Sequence, residues 1–301
     1  MARMNQIVAT QNADAQIRLL RARRYMYLQA KRLLSLQMVL TVGVPVVGAI
    51  CASIWPSLRG LVAFLSLTIA ILDVTLFDRL QRSLLKSAAK AQEQFDCIVL
   101  DLPWDDFSVG AKLPPETIHA ASLKHLKGQQ DSILKNWYPV AVGKVPLYLA
   151  RIICQRTNLW YDAKLRRQYG SGSLGLTIAL SLLLVFIGMV RGLTLDSFVL
   201  TVLAPAAPII IWGAREYFRQ RETCEVLDQL RSGAEALWQR AKTAACSEAD
   251  CTNQSRQFQN AIYLRRSNSP LIFDWMYKLQ RQRLEVQMNR GAEDFVREIT
   301  G

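Results

Sequence analysis

Charged side chains are missing from three long stretches of this sequence. No Asp, Glu, Lys or Arg occurs in residues 33–58, 168–190 or 197–214, which are 26, 23 and 18 residues long. A bilayer core of roughly 30 Å is crossed by about 20 apolar helical residues. A fourth run, residues 60–77, is interrupted only by Asp73. These runs predict four transmembrane helices in two hairpins, with a buried soluble helix as the alternative for the fourth run.

Histidine and cysteine are too sparse to suggest a metal centre. The two histidines, His119 and His125, are six residues apart, so they do not share a helix face at i,i+3 or i,i+4. The six cysteines are scattered, and Cys246 and Cys251 lack the spacing and partner ligands of a zinc site. We therefore expect no metal and no cofactor. A general-base role for His119 beside Glu116 is the one catalytic alternative.

Basic residues are nearly absent from the two short connections between the predicted spans. Residues 1–32 hold seven Lys and Arg, residues 78–167 hold fourteen and residues 215–301 hold fourteen, whereas the connections hold only Arg59 and Arg191. Lys and Arg concentrate on the cytoplasmic side of a membrane. We therefore expect a multi-pass membrane protein with both termini and the middle segment cytoplasmic. Five cysteines would then lie in a reducing compartment, so disulfides are not expected.

This distribution also accounts for the formal net charge of +13. The excess lies next to the predicted spans, where it suits the surface of an anionic leaflet. It therefore gives no reason to expect a DNA or RNA duplex as a partner.

The predicted fold is a mainly α integral membrane protein with helical cytoplasmic segments. The second span is expected to continue past residue 77 as a cytoplasmic stalk, and a short helix to begin near Pro115. A helix from about Pro146 should enter the third span, and Pro205 and Pro208 should kink the fourth. The predicted segments are a cytoplasmic amphipathic N-terminal helix that lies on the inner leaflet or on another cytoplasmic element (1–32), a first hairpin (33–77), a cytoplasmic middle domain (78–171), a second hairpin (172–214) and a cytoplasmic helical region (215–301).

A glycine motif at the entry to the third span is a weak signal for a nucleotide site. Gly170, Gly172 and Gly175 match G-x-G-x-x-G. A dinucleotide site needs a preceding strand and a βαβ unit, and neither is expected here. We interpret the motif as a flexible membrane entry with close helix packing.

Asp73 is a charged residue inside a predicted span. A charged side chain at the centre of a span costs roughly 2.5–3.5 kcal/mol on insertion scales. Thirteen uncharged residues separate it from the start of that span, so it lies toward the cytoplasmic end. It is either a pore or gate residue, or a carboxylate that reaches the interface or contacts another helix.

Residues 151–170, "RIICQRTNLWYDAKLRRQYG", hold a dense group of candidate binding residues, and their polar positions share one helix face. Arginine beside aromatic rings suits a phosphate-bearing ligand with a stacked base. An interfacial helix and a polar network with residues 263–277, "YLRRSNSPLIFDWMY", are the alternatives. The candidate ligand-binding residues are Arg151, Arg156, Asn158, Trp160, Arg166, Arg167, Arg265, Arg266 and Trp275, and the candidate relay residues are Gln155, Asp162 and Asp274.

The alternative of a polar network predicts specific ion pairs. Arg265 and Arg266 are expected to pair with Asp162, and Asp274 with Arg166 or Arg167.

Several segments together carry a family resemblance. They are Gln11-Asn12 followed by "RRYMYLQAKR", then "FDCIVLDLPW", "NWYP", "ARIICQRTNLWYDAKLRRQY" and "IYLRRSNSPLIFDWMY". In this order around two membrane hairpins, the chain resembles the SMODS-associated four-transmembrane effector family, bacterial anti-phage proteins encoded beside cyclic-oligonucleotide synthases in CBASS-type systems.

The resemblance implies an effector without catalytic activity. It would respond to a cyclic oligonucleotide made on infection, oligomerise or open, breach the inner membrane and stop the infected cell. Its expected partners are the cyclic oligonucleotide, membrane lipid, further copies of the chain and, functionally, the synthase. A constitutive channel or transporter that uses Asp73 and a membrane-bound enzyme remain the alternatives.

Overall fold

A computed structural model describes residues 5–126, 131–192, 194–199 and 203–301, and within them the chain forms helices and no strand. The mainly α fold is thereby confirmed. Three-residue to five-residue 3-10 turns at Pro56–Leu58, Asp131–Ile133 and Val140–Lys144 connect some of the helices. The helices are α1 (Ile7–Thr10), α2 (Asp14–Met38), α3 (Val44–Ile54), α4 (Arg59–Leu72), α5 (Asp78–Val99), α6 (Asp106–Val109), α7 (Pro115–Leu126), α8 (Leu147–Val190), α9 (Leu195–Phe198), α10 (Ala204–Lys242), α11 (Glu248–Asn268) and α12 (Asp274–Thr300).

Three of the helical rods are long and apolar enough to cross a membrane, namely Asp14–Gly48, Gly60–Val99 and Leu147–Val190. π-helical turns at Val39–Gly43 and Asp73–Phe77 lie within the first two rods and join their α-helices without a break. At most 12% of the apolar window of each rod is buried inside the protein. Their apolar side chains therefore face outward, as they must in lipid.

The expected continuity of the helices agrees with the structure. The helix of the second span continues to Val99, α7 begins at Pro115, and α8 enters the third span from Leu147. Near the entry to that span, Gly170 lies inside α8, and a Cβ there would be 3.3 Å from the Cβ of Gln220. The glycine motif therefore lies in a helix that packs closely on its neighbour.

The fourth predicted span, residues 197–214, lies partly outside the described residues, because residues 200–202 are not described. α10 begins at Ala204 with a proline in its first turn and runs without interruption to Lys242. Leu203, the residue before α10, already has helical backbone angles (φ −70°, ψ −46°), and α10 itself shows no break in its helical pattern at Pro205 or Pro208.

α8 and α10 pack along each other and approach closely at Gly213. A Cβ atom on Gly213 would lie 1.9 Å from Oγ1 and 2.8 Å from Cβ of Thr177. These distances are far below van der Waals contact, so the two helices can keep this separation only with glycine at this position.

Gly213→Ala should therefore destabilise the second hairpin by about 1–3 kcal/mol, the usual cost of overpacking. Gly175→Ala is the matched control, because a Cβ at Gly175 meets nothing within 4 Å. Both variants gain the same helix propensity, so their thermal midpoints in detergent isolate the effect of the close approach. Equal midpoints would contradict it.

Outside the predicted spans, the N-terminal, middle and C-terminal segments share one hydrophobic core, and we call this part of the protein the polar body. α2 packs against α5 and α7. The N-terminal helix therefore lies on other helices of the chain, which was one of its two expected positions. α5 is not a projecting stalk, because its second half is buried between α2 and α11. Core residues come from all three segments and include Ile7, Leu20, Phe95, Leu134, Ile152, Leu237, Trp238 and Val296.

Candidate functional site

A buried polar network lies at the centre of the polar body, where α5 meets α11. Glu93 and Asp96 are both 0% exposed on α5. Arg256 Nη2 lies 2.6 Å from Glu93 Oε1, and Arg266 forms an ion pair with Asp96. Gln259 donates to both carboxylates, at 2.8 Å to Glu93 and 3.0 Å to Asp96. The network therefore fastens α11 to α5 with two buried ion pairs and a shared amide.

Asp96 also connects the network to the N-terminal part of the chain. It accepts hydrogen bonds from Gln92 Nε2 at 2.7 Å and from the Tyr138 hydroxyl at 2.8 Å. Gln11 in turn holds the Tyr138 backbone, since its Nε2 donates to the carbonyl at 3.2 Å and its Oε1 accepts from the N–H at 2.7 Å. One carboxylate thus links α5, α11, the segment around Tyr138 and the turn after α1.

The pKa shifts in the network follow from burial and from the paired charges. Burial and the neighbouring Asp96 raise the pKa of Glu93, and Arg256 and Gln259 oppose that rise. Burial alone would lower the pKa of Arg266. The Asp96 carboxylate and Tyr138 outweigh burial, so the pKa of Arg266 is raised. Two cations and two anions compensate each other here, so the network is a scaffold and not an acid–base pair.

The polar positions that share one face of α8, which we call the stripe, are Arg151, Gln155, Asn158, Asp162 and Arg166. Arg151 is buried and bound to backbone. Its Nε donates to the Leu100 carbonyl at 2.5 Å, and its Nη2 donates to the Asp101 carbonyl at 2.6 Å. Its Nη1 donates to Thr252 Oγ1 at 2.9 Å. These bonds satisfy carbonyls just past the end of α5 and join α8 to α5 and α11.

Gln155 lies one turn farther along the same face. Its Nε2 donates to the Ser255 carbonyl at 2.7 Å and to Gln259 Oε1 at 3.2 Å. Through Gln259 it is continuous with the buried network. Asn158, the next member of the stripe, is half-buried.

Arg166 connects α8 with two other parts of the chain. Its Nε donates to Asp162 at 3.0 Å, one turn earlier on α8. Its Nη1 donates to Gln220 on α10 at 2.9 Å and to the Pro270 carbonyl at 2.7 Å, in the segment between α11 and α12. Arg166 thus joins three parts of the chain two residues before the predicted third span.

The other two arginines of residues 151–170 bind α10. Arg156 Nε donates to Glu235 at 2.9 Å, and its guanidinium lies 4.7 Å from the centre of the Phe295 ring. Arg167 Nη2 donates to Asp228 at 2.5 Å and is more exposed.

The expected pairings between the stripe and residues 263–277 are wrong in detail. Arg266 pairs with Asp96 and not with Asp162. Asp274 pairs with Lys31 at 2.5 Å and not with the arginines of α8. The end of α11 points at α5, and α12 begins beside α2. Spacing along one helix cannot reveal which helix lies opposite.

The two tryptophans among the candidates occupy different places. Trp160 packs against a small core that includes Met276. Trp275 is 60% exposed. Its neighbour Met276 reaches α8 at Gly172, where a Cβ would be 3.3 Å from Met276 Cε, so Trp275 lies near the level where the third span begins. Arg265 is partly exposed at the end of α11.

Asp73 makes a contact between the first two spans. Gln37 Nε2 donates to Asp73 Oδ1 at 2.6 Å, and the same nitrogen lies 3.5 Å from Asp78 Oδ1. The contact lies where both rods leave α-helical geometry, beside the π-helical turns Val39–Gly43 and Asp73–Phe77. This geometry matches the helix-contact alternative for Asp73.

The described part of the chain offers little for catalysis or metal binding. No group of three or more His, Cys, Asp and Glu in it is arranged to hold a metal ion, and all six cysteines are free. His119 and Glu116 lie exposed on α7, without the burial that tunes a general base. A cavity of about 270 Å³ lies between the segment 136–141 and α12. Its lining is neutral apart from Glu293, so the cavity does not suit an anion.

Comparison with known proteins gives the family. Residues 5–295 match the model of the SMODS-associating 4TM effector domain. The chain belongs to this family. A protein of Bacillus cereus (strain VD146) named "Probable CBASS effector molecule" is 25% identical over 291 residues, which cover 92% of this chain and 94% of that protein. No solved structure matches the chain.

As a 4TM effector, the chain is a membrane protein with four transmembrane helices and a role in anti-phage defence. The resemblance read from the sequence is therefore confirmed. The segments that carried it meet in the polar body: "NWYP" is bound by Gln11, "FDCIVLDLPW" holds Asp96, and "IYLRRSNSPLIFDWMY" holds Arg266.

Four residues of the buried network in this 4TM effector are not among the candidates that the sequence suggested, namely Glu93, Asp96, Arg256 and Gln259. The only signal was an i,i+3 spacing, shared by the two carboxylates on α5 and by Arg256 and Gln259 on α11. That spacing is also typical of a solvated helix face. The second half of α5 is buried, which excludes a solvated face. That burial depends on which helices pack against α5.

Proposed function

We propose that this 4TM effector responds to a cyclic oligonucleotide made on infection and then permeabilises the inner membrane, so that the infected cell stops growing or dies. The observation that carries the proposal is the continuity of the helices. α2 runs into the first span, the second span runs into α5, and α8 runs through the polar body into the third span. A change of packing in the polar body is thereby passed to the membrane hairpins.

The hydrogen bonds of Arg166 support this coupling. The side chain contacts α10 and the segment before α12, and it stands next to the predicted third span. A rearrangement of α11 or α12 would therefore move α8 and α10 relative to each other at the membrane surface. We assign Asp162, Arg166 and Gln155 a relay role on this basis.

The remaining details of the proposal follow from the membrane topology. The polar body and both termini lie in the cytoplasm, where a nucleotide synthase would release its product. Four helices are too few to enclose a wide pore, so the active form is an oligomer. The protein acts without catalysis, and the synthase is its functional partner.

Dye release from liposomes tests the proposal. Full-length protein in anionic liposomes should release a trapped dye only after addition of one member of a panel of cyclic dinucleotides and cyclic trinucleotides. Release without any nucleotide, or silence with the whole panel when protease protection shows correct insertion, would contradict it.

Asp73→Asn separates this proposal from a constitutive channel. Asparagine can still accept a hydrogen bond from Gln37, so nucleotide-triggered release should change by no more than about threefold, the effect of weakening one hydrogen bond. Asp106→Asn, which removes the same charge from an exposed position on α6, is the control. Altered ion flux of Asp73→Asn without nucleotide would favour the channel alternative.

A further inference from the structure

Arg23 on α2 is a cationic side chain that has no anionic partner among the described residues. Its guanidinium carbon lies 4.5 Å from the centre of the Trp137 ring and 5.1 Å from that of Tyr27. Its Nε is buried and has no hydrogen-bond partner. Among the described residues, the Arg23 side chain forms no hydrogen bond or ion pair.

The charges around Arg23 do not compensate it. Burial lowers the pKa of Arg23, and the positive charge of Arg266 acts in the same direction. The nearby carboxylate, Asp96, is already paired with Arg266. Lys31, two turns farther along α2, is paired with Asp274. The region therefore carries one positive charge more than its carboxylates can balance.

Stability alone does not explain this arrangement. A cation over an aromatic ring contributes about 0.5–2 kcal/mol. A buried donor without a partner costs about 1–3 kcal/mol. Arg23 has five N–H donors. Packing against two rings does not replace the hydrogen bonds that an anion would accept from them. Charged groups held at such a cost are typical of binding sites.

The residues around Arg23 are in part accessible to solvent. Tyr27, Trp137, Arg266 and Tyr277 are, like Arg23, only partly buried. Tyr277 and Arg266 lie close enough to act on the charge of Arg23. This group of residues, which we call the Arg23 site, offers two guanidinium groups for phosphate oxygens and aromatic rings for a planar base.

The distance of Arg23 from the predicted first span indicates a soluble ligand. Arg23 precedes the predicted first span at residue 33 by ten residues, or ~15 Å along a helix. The headgroup layer adds only about 5–8 Å to each side of the hydrocarbon core. A lipid phosphate would therefore have to leave its layer to reach Arg23.

We propose that Arg23, Trp137 and Arg266 form the binding site for the phosphodiester and base of the nucleotide to which the effector responds. This inference rests on the proposed function and names the site within it. The site lies on α2, and α2 continues into the first span, so occupancy is coupled to the membrane by an unbroken helix.

Equilibrium dialysis with purified full-length protein in neutral detergent tests the site, with labelled cyclic di-AMP, cyclic GMP–AMP and cyclic tri-AMP as probes. Arg23→Gln and Trp137→Leu should each weaken binding of the probe that the natural protein binds by about tenfold or more, as expected for lost contacts to a charged group. Arg18→Gln, which removes the same charge from an exposed position on α2, should leave binding unchanged. The melting temperature of Arg23→Gln without probe should not fall.

The outcomes separate the site from the function. Normal binding by both Arg23→Gln and Trp137→Leu would overturn the site and leave the proposed function standing. Failure of the natural protein to bind all three probes would overturn the function and the site together. Loss of binding together with a lower melting temperature in Arg23→Gln would show that Arg23 only supports the fold. Competition by phosphatidylglycerol would assign the Arg23 site to a lipid headgroup.

Discussion

Arg256→Met should lower the free energy of unfolding of the polar body by about 3–5 kcal/mol, the usual effect of removing one partner of a buried ion pair. Glu93 would stay 0% exposed without its guanidinium. Arg256 Nη1 also donates to the Pro103 carbonyl at 2.8 Å, and that bond would be lost as well. The melting temperature should fall on the order of 10 °C.

The loss should depend on pH in a defined direction. Burial and Asp96 already raise the pKa of Glu93, and Arg256 opposes that rise. Without Arg256 the pKa of Glu93 in the folded protein rises further, while the unfolded chain keeps its ordinary value of 4.5. The folded state then binds a proton that the unfolded state releases, so stability rises as pH falls. The destabilisation is complete above the raised pKa and shrinks toward pH 4.5.

A matched control exists on α12. Arg297→Met removes an arginine that reaches Glu293 at 3.8 Å and Asp294 at 3.2 Å on an exposed surface. It should cost less than about 1 kcal/mol, because exposed ion pairs contribute little. Adding Glu93→Gln to Arg256→Met should restore much of the stability, since no buried charge then remains unpaired. Equal melting temperatures of Arg256→Met and Arg297→Met would contradict the role of the buried pair.

Arg166→Ala should uncouple nucleotide binding from membrane damage. The variant loses the bonds to Gln220 and to the Pro270 carbonyl, which connect α8 to α10 and to the segment before α12. Hydrogen bonds to charged groups contribute about 1.5–3 kcal/mol each, so nucleotide-triggered dye release should fall by about tenfold or more. Insertion should remain intact, because Arg166 lies outside the spans.

Arg167→Ala is the neighbouring control. Arg167 is half-exposed and pairs with Asp228 on α10, so its removal should change dye release only slightly. Asp162→Ala should have an intermediate effect, because Asp162 orients Arg166 from one turn away and, among the described residues, forms no hydrogen bond to another helix. If Arg166→Ala released dye as the natural protein does, with nucleotide binding and insertion unchanged, Arg166 would not be a relay.

The residues behind these two predictions differ in how easily they can be found from the sequence. The stripe from Arg151 to Arg166 could be found because its members repeat at helical spacing on one long helix. The buried network could not, because Glu93 and Arg256 are 163 residues apart in the chain and Asp96 and Arg266 are 170 apart. Arg23 looked like one basic residue among seven in its segment. Only its position over two rings sets it apart.

The sequence by itself predicted four membrane helices, three of which coincide with long apolar helices of the structure, and it predicted that they continue into the rest of the protein. Span-length runs without charge need no neighbour to be recognised, since the bilayer sets their length and composition. The order of several motifs around two hairpins also determined the family. The tertiary structure alone decided which polar groups meet: Glu93 with Arg256, Asp274 with Lys31, and Arg23 with no anion in the part of the chain that the structure describes. Helical periodicity places a residue on a face, whereas its partner depends on which helix packs against that face.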